Sequence, residues 1–150
     1  MSDQGLILLV EDNPNDIELI LVALSESRST DQVFVTRNDE QALDYLCRRG
    51  AHTSRPTRNP KVVLLDLKLP KVDGLEVLHQ IKTDRTLKTI PVVMLTSSRE
   101  ERDLRTSYEF GSNAYNVKPM SFQAFVEVIK EIALFWGVLN QPPSIAEGKR

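Results

Sequence analysis

Short runs of aliphatic residues alternate along the chain with segments in which apolar residues recur at helical spacing. The runs are nearly unbroken by polar side chains, which is typical of strands buried on both faces. They span residues 6–10, 33–35, 62–65, 91–95 and 114–117. The helical stripes are Ile17, Ile20, Leu21 and Leu24; Ala42, Leu43 and Leu46; Leu75, Leu78 and Ile81; Leu104 and Tyr108; and Phe122, Phe125, Val126, Ile129, Ile132, Ala133 and Trp136. Five alternations of strand and helix predict an α/β fold, with a parallel sheet covered by helices on both faces.

Residues that favour helix N-termini stand near the start of four of these stripes. The candidates are Asn15 or Asp16 for the first helix, Asn38 or Asp39 for the second, Asp73 for the third and Ser121 for the fifth. Their short polar side chains accept hydrogen bonds from the free N–H groups of a first helical turn. These caps therefore support the helix starts that the stripes predict.

The bulk composition narrows the class of protein. A chain of 150 residues predicts one domain, which we place over residues 1–140, followed by a loose tail at residues 141–150. The net charge of −2 gives no electrostatic reason to expect nucleic acid or an anionic membrane as a partner. One cysteine, Cys47, excludes an internal disulfide, and the apolar runs are too short to span a bilayer. We expect a cytoplasmic protein with no nucleic-acid or membrane partner.

Polar side chains of related chemistry follow four of the predicted strands. Glu11 and Asp12 follow the first strand, Asp66 follows the third, Thr96 ends the fourth and Lys118 follows the fifth. Open α/β folds bind their ligands at the carboxyl ends of the strands. Each feature alone has a plainer explanation, as a solvated loop, a helix cap, a strand end or a surface lysine. Their coincidence at four strand ends of one sheet indicates a functional site.

The chemistry of this site suits phosphoryl transfer to a carboxylate. If the first and third strands are neighbours, Asp12 and Asp66 face each other across one crevice, where hard oxygen ligands suit Mg²⁺. A carboxylate is also a nucleophile towards phosphorus. Thr96 and Lys118 can hold the oxygens of a transferred phosphoryl group, and the metal offsets the remaining charge. The four features therefore contain every part of an aspartyl-phosphate site.

Five short motifs surround these strand ends. They are Leu9–Asn13, Leu64–Pro70, Asp73–Gly74, Leu95–Ser98 and Val117–Pro119. Through them the chain resembles the receiver domain of two-component response regulators, roughly over residues 6–136. The resemblance implies a flavodoxin-like (βα)₅ doubly wound sheet of strand order 2-1-3-4-5. It also implies that Asp66 accepts a phosphoryl group from a histidine kinase, so that the protein is a phospho-accepting signalling module and not a turnover enzyme.

The resemblance implies a role for each matching position. Asp12 binds Mg²⁺ directly and Glu11 binds it through water. Asp66 and the backbone carbonyl of Lys68 complete the metal site. Thr96 then hydrogen-bonds a phosphoryl oxygen once Asp66 is modified.

Two more positions gain roles from the same resemblance. Lys118 pairs with the phosphoryl group, and a cis Lys118–Pro119 bond aims its ammonium into the crevice. Tyr115 matches an aromatic switch position. Phosphate draws Thr96 inwards, the Tyr115 ring enters the space that it leaves, and the face of the fourth helix, fifth strand and fifth helix changes shape. A half-buried tyrosine that never moves is the alternative.

Four further segments point to a smaller group of proteins within this family. They are Arg48–Ala51, Leu65–Gly74, Thr96–Asp103 and Leu134–Trp136. Through them the chain is similar to the small single-domain regulators that partner phytochrome histidine kinases, which implies a phytochrome-type kinase as the phosphate donor. Extra apolar residues on the last helix, including Phe135 and Leu139, predict a homodimer through the fourth helix, fifth strand and fifth helix. Burial of those residues beneath the tail at Pro142–Pro143 is the alternative.

Two other functions stay open at this point. A magnesium-dependent phosphatase or phosphotransferase also uses an aspartyl nucleophile, but such enzymes usually carry a second aspartate two residues later, where this chain has Lys68. A degenerate receiver that serves only as a docking or dimerisation scaffold is the third candidate, against which the retained acids, threonine and lysine count. Lys68 and Asn116 depart from the commonest receiver pattern, and neither departure removes a catalytic group.

Overall fold

Strands and helices alternate in the computed structural model as the hydrophobic pattern predicts. The structure describes residues 5–27, 31–53 and 59–143, so that residues 144–150 of the expected tail lie outside it. The elements are β1 Leu6–Val10, α1 Pro14–Ser25, β2 Gln32–Thr36, α2 Asp39–Cys47, β3 Val62–Leu65, α3 Gly74–Thr83, β4 Val92–Thr96, α4 Glu101–Glu109, β5 Ala114–Val117 and α5 Phe122–Leu134. A 3₁₀ turn at Gly50–His52 follows α2, and a π-helical turn at Phe135–Leu139 extends α5.

All five strands are parallel and lie in the order β2-β1-β3-β4-β5, which confirms the expected flavodoxin-like sheet. The residues at or near the carboxyl ends of neighbouring strands pair with one another. Val10 pairs with both Thr36 and Leu65, Leu65 pairs with Met94, and Thr96 pairs with Val117. The residues that follow β1, β3, β4 and β5 therefore emerge together at the carboxyl edge of the sheet.

The three central strands are buried on both faces, as their unbroken aliphatic sequences predict. Successive side chains of a strand point to opposite faces. Leu8 and Val10 of β1 therefore pack with α2 and α3, while Ile7 and Leu9 pack with α1 and α5. The helix α4 contributes less, because Ser107 is its one buried residue and Tyr108 is exposed. The two helical layers leave only the ends of the strands open.

Three of the four predicted helix caps are confirmed, and the first is corrected. The side chains of Asn38, Asp73 and Ser121 accept the expected backbone hydrogen bonds at the starts of α2, α3 and α5. The cap of α1 is Asn13, whose Oδ1 accepts the N–H groups of Asn15 (2.9 Å) and Asp16 (3.1 Å). The helix starts earlier than expected because Pro14, with its fixed φ and missing N–H, is well suited to the first helical position.

Lys61 connects three segments at the amino edge of the sheet, directly before β3. Its ammonium lies 3.0 Å from the buried Oδ1 of Asp31 and donates to the carbonyl of Gly137, in the π-helical turn, at 2.8 Å. The same Asp31 oxygen accepts the N–H of Gly5 at 2.8 Å. The Lys61 chain crosses Gly5 so closely that a β-carbon there would collide with it. This lysine therefore fixes the turn that ends α5.

No helix in the described segments is long and apolar enough to cross a lipid bilayer.

Candidate functional site

Asp66 lies at the centre of the carboxyl edge, directly after β3. Its backbone N–H donates to the carbonyl of Val10 at 3.1 Å, which continues the pairing of β1 with β3. The residue is 6% exposed, and its Oδ1 lies 3.4 Å from the backbone nitrogen of Lys68. The other oxygen, Oδ2, faces the Lys118 ammonium at 3.2 Å. A carboxylate in this position is accessible only from the open end of the sheet.

Gly74 allows the start of α3 to lie directly against the backbone of Asp66. A β-carbon at Gly74 would collide with the carbonyl oxygen of Asp66. The Gly74 N–H donates to the carbonyl of Leu67 at 2.7 Å, which fixes this approach. The glycine of the Asp73–Gly74 motif is therefore required by close packing against the Asp66 backbone, a reason that the sequence alone does not show.

Glu11, Asp12 and Asp66 form the acidic cluster that the sequence predicts. Each offers one carboxylate oxygen, and these three oxygens lie within 4.8 Å of one another. Mg²⁺ prefers oxygen ligands in a small octahedral shell and keeps several waters, so that one or two direct carboxylate ligands suffice. The donor set thus fits Mg²⁺, with Glu11, Asp12 and Asp66 as the residues that would hold it. The part of the Lys68 carbonyl in metal binding stays a prediction.

Glu11 is the most deeply buried member of the cluster, at 1% exposure. Burial, and after it the charge of Asp66, raise the pKa of Glu11, which reaches about 7. The hydrogen bond and charge of Lys118, together with the N–H of Asn13 at 3.1 Å, act in the opposite direction. The charge of the lysine therefore does not fully balance the negative charge of the clustered carboxylates. A divalent cation would favour their charged forms.

Lys118 bonds to three carboxylates at once. Its Nζ lies 2.7 Å from Asp16, 2.8 Å from Glu11 and 3.2 Å from Asp66, and its side chain is 9% exposed. Desolvation lowers the pKa of this ammonium, but its bonds to Asp16 and Glu11 and the charge of Asp66 outweigh that effect and raise it. Lys118 is therefore a fixed positive charge beside Asp66.

The peptide bond before Pro119 corrects one expectation. In the described part of the chain every peptide bond is trans, including Lys118–Pro119, where the resemblance implies a cis bond. The lysine reaches the pocket because its backbone N–H donates to the carbonyl of Thr96 at 2.7 Å. This bond continues the pairing of β5 with β4 and carries Lys118 to the same edge as Asp66.

Asp16 is the site residue that sequence reasoning missed. It was considered only as a helix cap, whereas Asn13 takes that role and leaves the Asp16 carboxylate for Lys118. A signal did exist. Asp16 follows the Glu11–Asp12 pair within the turn where the first helix begins, so that it lies near the same edge of the sheet.

Thr96 and Tyr115 are linked through the loop that follows β4. Thr96 is fully buried, and its hydroxyl oxygen lies 3.3 Å from the N–H of Ser98. The Tyr115 hydroxyl donates to the carbonyl of Ser98 at 3.1 Å. Burial raises the pKa of this phenol, its bond to Ser98 lowers it, and the charges of Asp103, Asp66 and Glu100 raise it further. The two predicted switch residues therefore contact the same short loop.

The two departures from the receiver pattern lie outside the pocket contacts. The Lys68 side chain is exposed, two residues after Asp66. Asn116 is half-buried in β5, where it pairs with Leu95. Neither side chain approaches the three carboxylates within a described hydrogen bond or ion pair.

Comparison with known proteins agrees with this geometry. Residues 7–130 match the family model of the response regulator receiver domain. The chain is 42% identical over 145 residues to the probable methanogenesis regulatory protein FilR2 of Methanothrix harundinacea, covering 97% of this chain and 92% of that protein.

Two solved structures are similar over almost the whole chain. The crystal structure of the phosphorylated cyanobacterial phytochrome response regulator RcpA superposes with a TM-score of 0.89 at 40% identity, covering 94% of this chain and 99% of that one. The bacteriophytochrome response regulator RtBRR has a TM-score of 0.75 at 56% identity, with coverages of 93% and 84%. The fold and the matched residues define the class: the chain belongs to the response regulator receiver family.

Proposed function

We propose that the protein accepts a phosphoryl group on Asp66 from a histidine kinase and passes the signal on through a change of shape. The arrangement of three clustered carboxylates around one buried acceptor, with a lysine at 3.2 Å, is the observation that carries this proposal. A site of this kind performs its chemistry once per signal, so that the protein is not a turnover enzyme. A scaffold alone would have no need of this arrangement.

The transfer step follows from the chemistry of the groups present. A carboxylate oxygen of Asp66 attacks the phosphorus of a phosphohistidine. The new O–P bond forms as the P–N bond breaks, and the electron pair of that bond stays on the imidazole nitrogen of the kinase. Mg²⁺, when bound, offsets negative charge on the phosphoryl oxygens. Lys118 supplies a second positive charge from the protein itself.

The donor is proposed to be a phytochrome-type kinase in the cytoplasm. Similarity to RcpA and RtBRR, which are both phytochrome response regulators, supports this assignment. FilR2, which is 42% identical, is a probable methanogenesis regulatory protein and not a phytochrome response regulator by name. The kinase therefore has to be identified by experiment. Phosphotransfer from a panel of purified kinases, followed with time, makes that identification.

The output is proposed to run through Thr96 and Tyr115. A phosphoryl group on Asp66 offers a new acceptor to the Thr96 hydroxyl, which now lies beside Ser98. A movement of that hydroxyl alters the loop to which Tyr115 is bonded. The population then shifts towards a second form of the face built from α4, β5 and α5.

A symmetric homodimer through this face is part of the proposal. Phe135 and Leu139, in the π-helical turn, are 48% and 64% exposed, and Val138 between them is also exposed. An apolar patch of this kind on a short turn is typical of an association surface.

The decisive experiment is a comparison of wild-type protein with Asp66→Asn. Wild type should gain one phosphoryl group from a small-molecule donor such as acetyl phosphate, in the presence of Mg²⁺, with the acid–base lability of an acyl phosphate. Asp66→Asn should gain none under the same conditions. Labelling that persists in Asp66→Asn rejects the proposed acceptor.

A further inference from the structure

The Lys118 ammonium has three N–H bonds and three carboxylate partners in this structure. Two of them, Glu11 and Asp66, belong to the cluster that fits Mg²⁺. The third, Asp16, does not, although its Oδ2 makes the shortest of the three contacts, at 2.7 Å. One carboxylate thus binds the lysine without being a candidate ligand of the metal.

Local structure explains why the Asp16 carboxylate is available to Lys118. Asn13 caps α1 and accepts the backbone N–H of Asp16 at 3.1 Å, so that the Asp16 carboxylate is not consumed by capping. The Asp16 side chain is 24% exposed, whereas those of Glu11 and Asp66 are 2% and 8% exposed. Asp16 therefore contacts Lys118 from the more solvent-exposed side of the pocket.

We propose that Asp16 is a positioning residue: it gives the Lys118 ammonium a carboxylate partner outside the metal cluster, so that the lysine can yield the Glu11 and Asp66 oxygens to Mg²⁺ without losing every partner. This inference rests on the proposed function, because it concerns the same metal-assisted phosphoryl transfer. Asp16 touches neither the metal ligands nor the acceptor within a described hydrogen bond, and it acts only through the lysine.

The physical basis is competition between two cations for the same oxygens. An ammonium and a magnesium ion both seek the carboxylates of Glu11 and Asp66, and they repel one another at short range. Without Asp16 the ammonium has only those two carboxylate partners left. It would then bind them more fully and oppose the entry of Mg²⁺. With Asp16 present, the lysine keeps a strong partner when the metal arrives.

A double-mutant cycle on Mg²⁺ affinity tests this inference, with isothermal titration calorimetry of the full chain as the readout. The four proteins are wild type, Asp16→Asn, Lys118→Met and the double variant. Asp16→Asn should weaken Mg²⁺ binding about three-fold to ten-fold in the wild-type background, as expected for contacting residues that couple. In the Lys118→Met background the same substitution should change the affinity by less than about two-fold.

Matched controls separate this effect from loss of charge or of folding. Glu18→Gln removes one negative charge from the exposed side of the same helix and should leave Mg²⁺ affinity within about two-fold of wild type. Asp16→Glu retains the carboxylate and should restore most of the affinity that Asp16→Asn loses. Asp16→Ser repeats the comparison with a smaller side chain, and thermal unfolding verifies that each variant is folded.

The outcomes are distinguishable. Equal weakening by Asp16→Asn in both backgrounds means that Asp16 acts as a distant charge, and overturns the inference while the proposed function stands. An unchanged affinity in the wild-type background overturns it as well. If wild type itself binds no Mg²⁺, the proposed function fails and the inference fails with it.

Discussion

The carbonyl oxygen of Asp66 occupies the space that a β-carbon of residue 74 would need, and glycine is the residue found there. Asp66 and the first residue of α3 are therefore packed backbone against backbone. Because the obstacle is a main-chain atom and not the end of a flexible side chain, the structure can accommodate a larger residue only by moving Asp66 or the helix.

Gly74→Ala should impair the site and the fold together. Overpacking of this kind costs about 1 to 3 kcal/mol, which chemical denaturation would detect. The displaced Asp66 should also accept phosphate from acetyl phosphate more slowly than wild type does. Glu76→Ala, at an exposed position in the first turn of α3, is the control and should leave both properties close to wild type. A normal labelling rate in Gly74→Ala would show that the helix, and not the acceptor, gives way.

Tyr115→Phe should separate the ring of the proposed switch from its hydroxyl. The substitution removes the 3.1 Å hydrogen bond to the Ser98 carbonyl and keeps the aromatic packing. The free energy of unfolding should fall by about 0.5 to 1.5 kcal/mol, as for a typical hydrogen bond. Amide NMR shifts around Ser98 on addition of beryllofluoride, a phosphate mimic, should become smaller.

Tyr108→Phe provides the comparison for this switch experiment. Tyr108 is 52% exposed on α4, and removal of its hydroxyl should alter neither stability nor the response to beryllofluoride. Identical NMR responses in wild type and Tyr115→Phe would contradict a role for the hydroxyl in the switch.

Lys82→Met should destabilise the fold away from the site. The Lys82 ammonium donates to the carbonyls of Lys88 (3.1 Å) and Ile90 (2.7 Å) and to Asn113 Oδ1 (3.1 Å). It thus joins α3 to the loop before β4 and to the loop before β5. Loss of these bonds should lower the free energy of unfolding by about 1 to 3 kcal/mol in urea titrations. Lys88→Met removes an exposed lysine nearby and should have little effect.

The pH dependence of the Lys82→Met effect also has a defined sign. Burial lowers the pKa of Lys82 below its ordinary value of 10.5, so that the unfolded chain holds this proton more tightly than the folded one. The stability gap between wild type and the methionine variant should therefore widen as pH rises through the folded-state pKa towards 10.5. A gap that narrows over this range would show that the lysine is not desolvated.

Introducing charged side chains into the π-helical turn tests the proposed dimer. Phe135→Asp combined with Leu139→Asp should give a monomer in size-exclusion chromatography with light scattering, because two buried carboxylates without partners would oppose association. Met120→Asp is a suitable control, since Met120 is 94% exposed and lies before α5, outside that turn. An unchanged mass for the double variant excludes this turn as the interface.

The fold could be predicted from sequence because buried parallel strands have a composition that few other elements share. Val62–Leu65 has aliphatic residues on both faces, and a carboxylate directly after it can only lie at the sheet edge. Strand order did not follow from the pattern, since periodicity records which face is buried and not which strand is the neighbour. It came from resemblance, and the structure confirms it.

Details of the site were harder to predict for local reasons. The partnership of Lys118 with Asp16 depends on where α1 starts, and Pro14 moved that start ahead of the expected caps. That partnership joins segments 102 residues apart, a relation that no local pattern records. The trans bond before Pro119 departs from the cis bond that the resemblance implies.

The strand β3 is four residues long and has a functional group at each end. Asp66 follows its last residue, and Lys61, which holds the Gly137 carbonyl, precedes its first. Because β3 is paired on one edge with β1 and on the other with β4, it cannot slide along its axis without breaking both ladders. The strand therefore sets a constant distance between the carboxylate at its end and the π-helical turn that Lys61 anchors at its start.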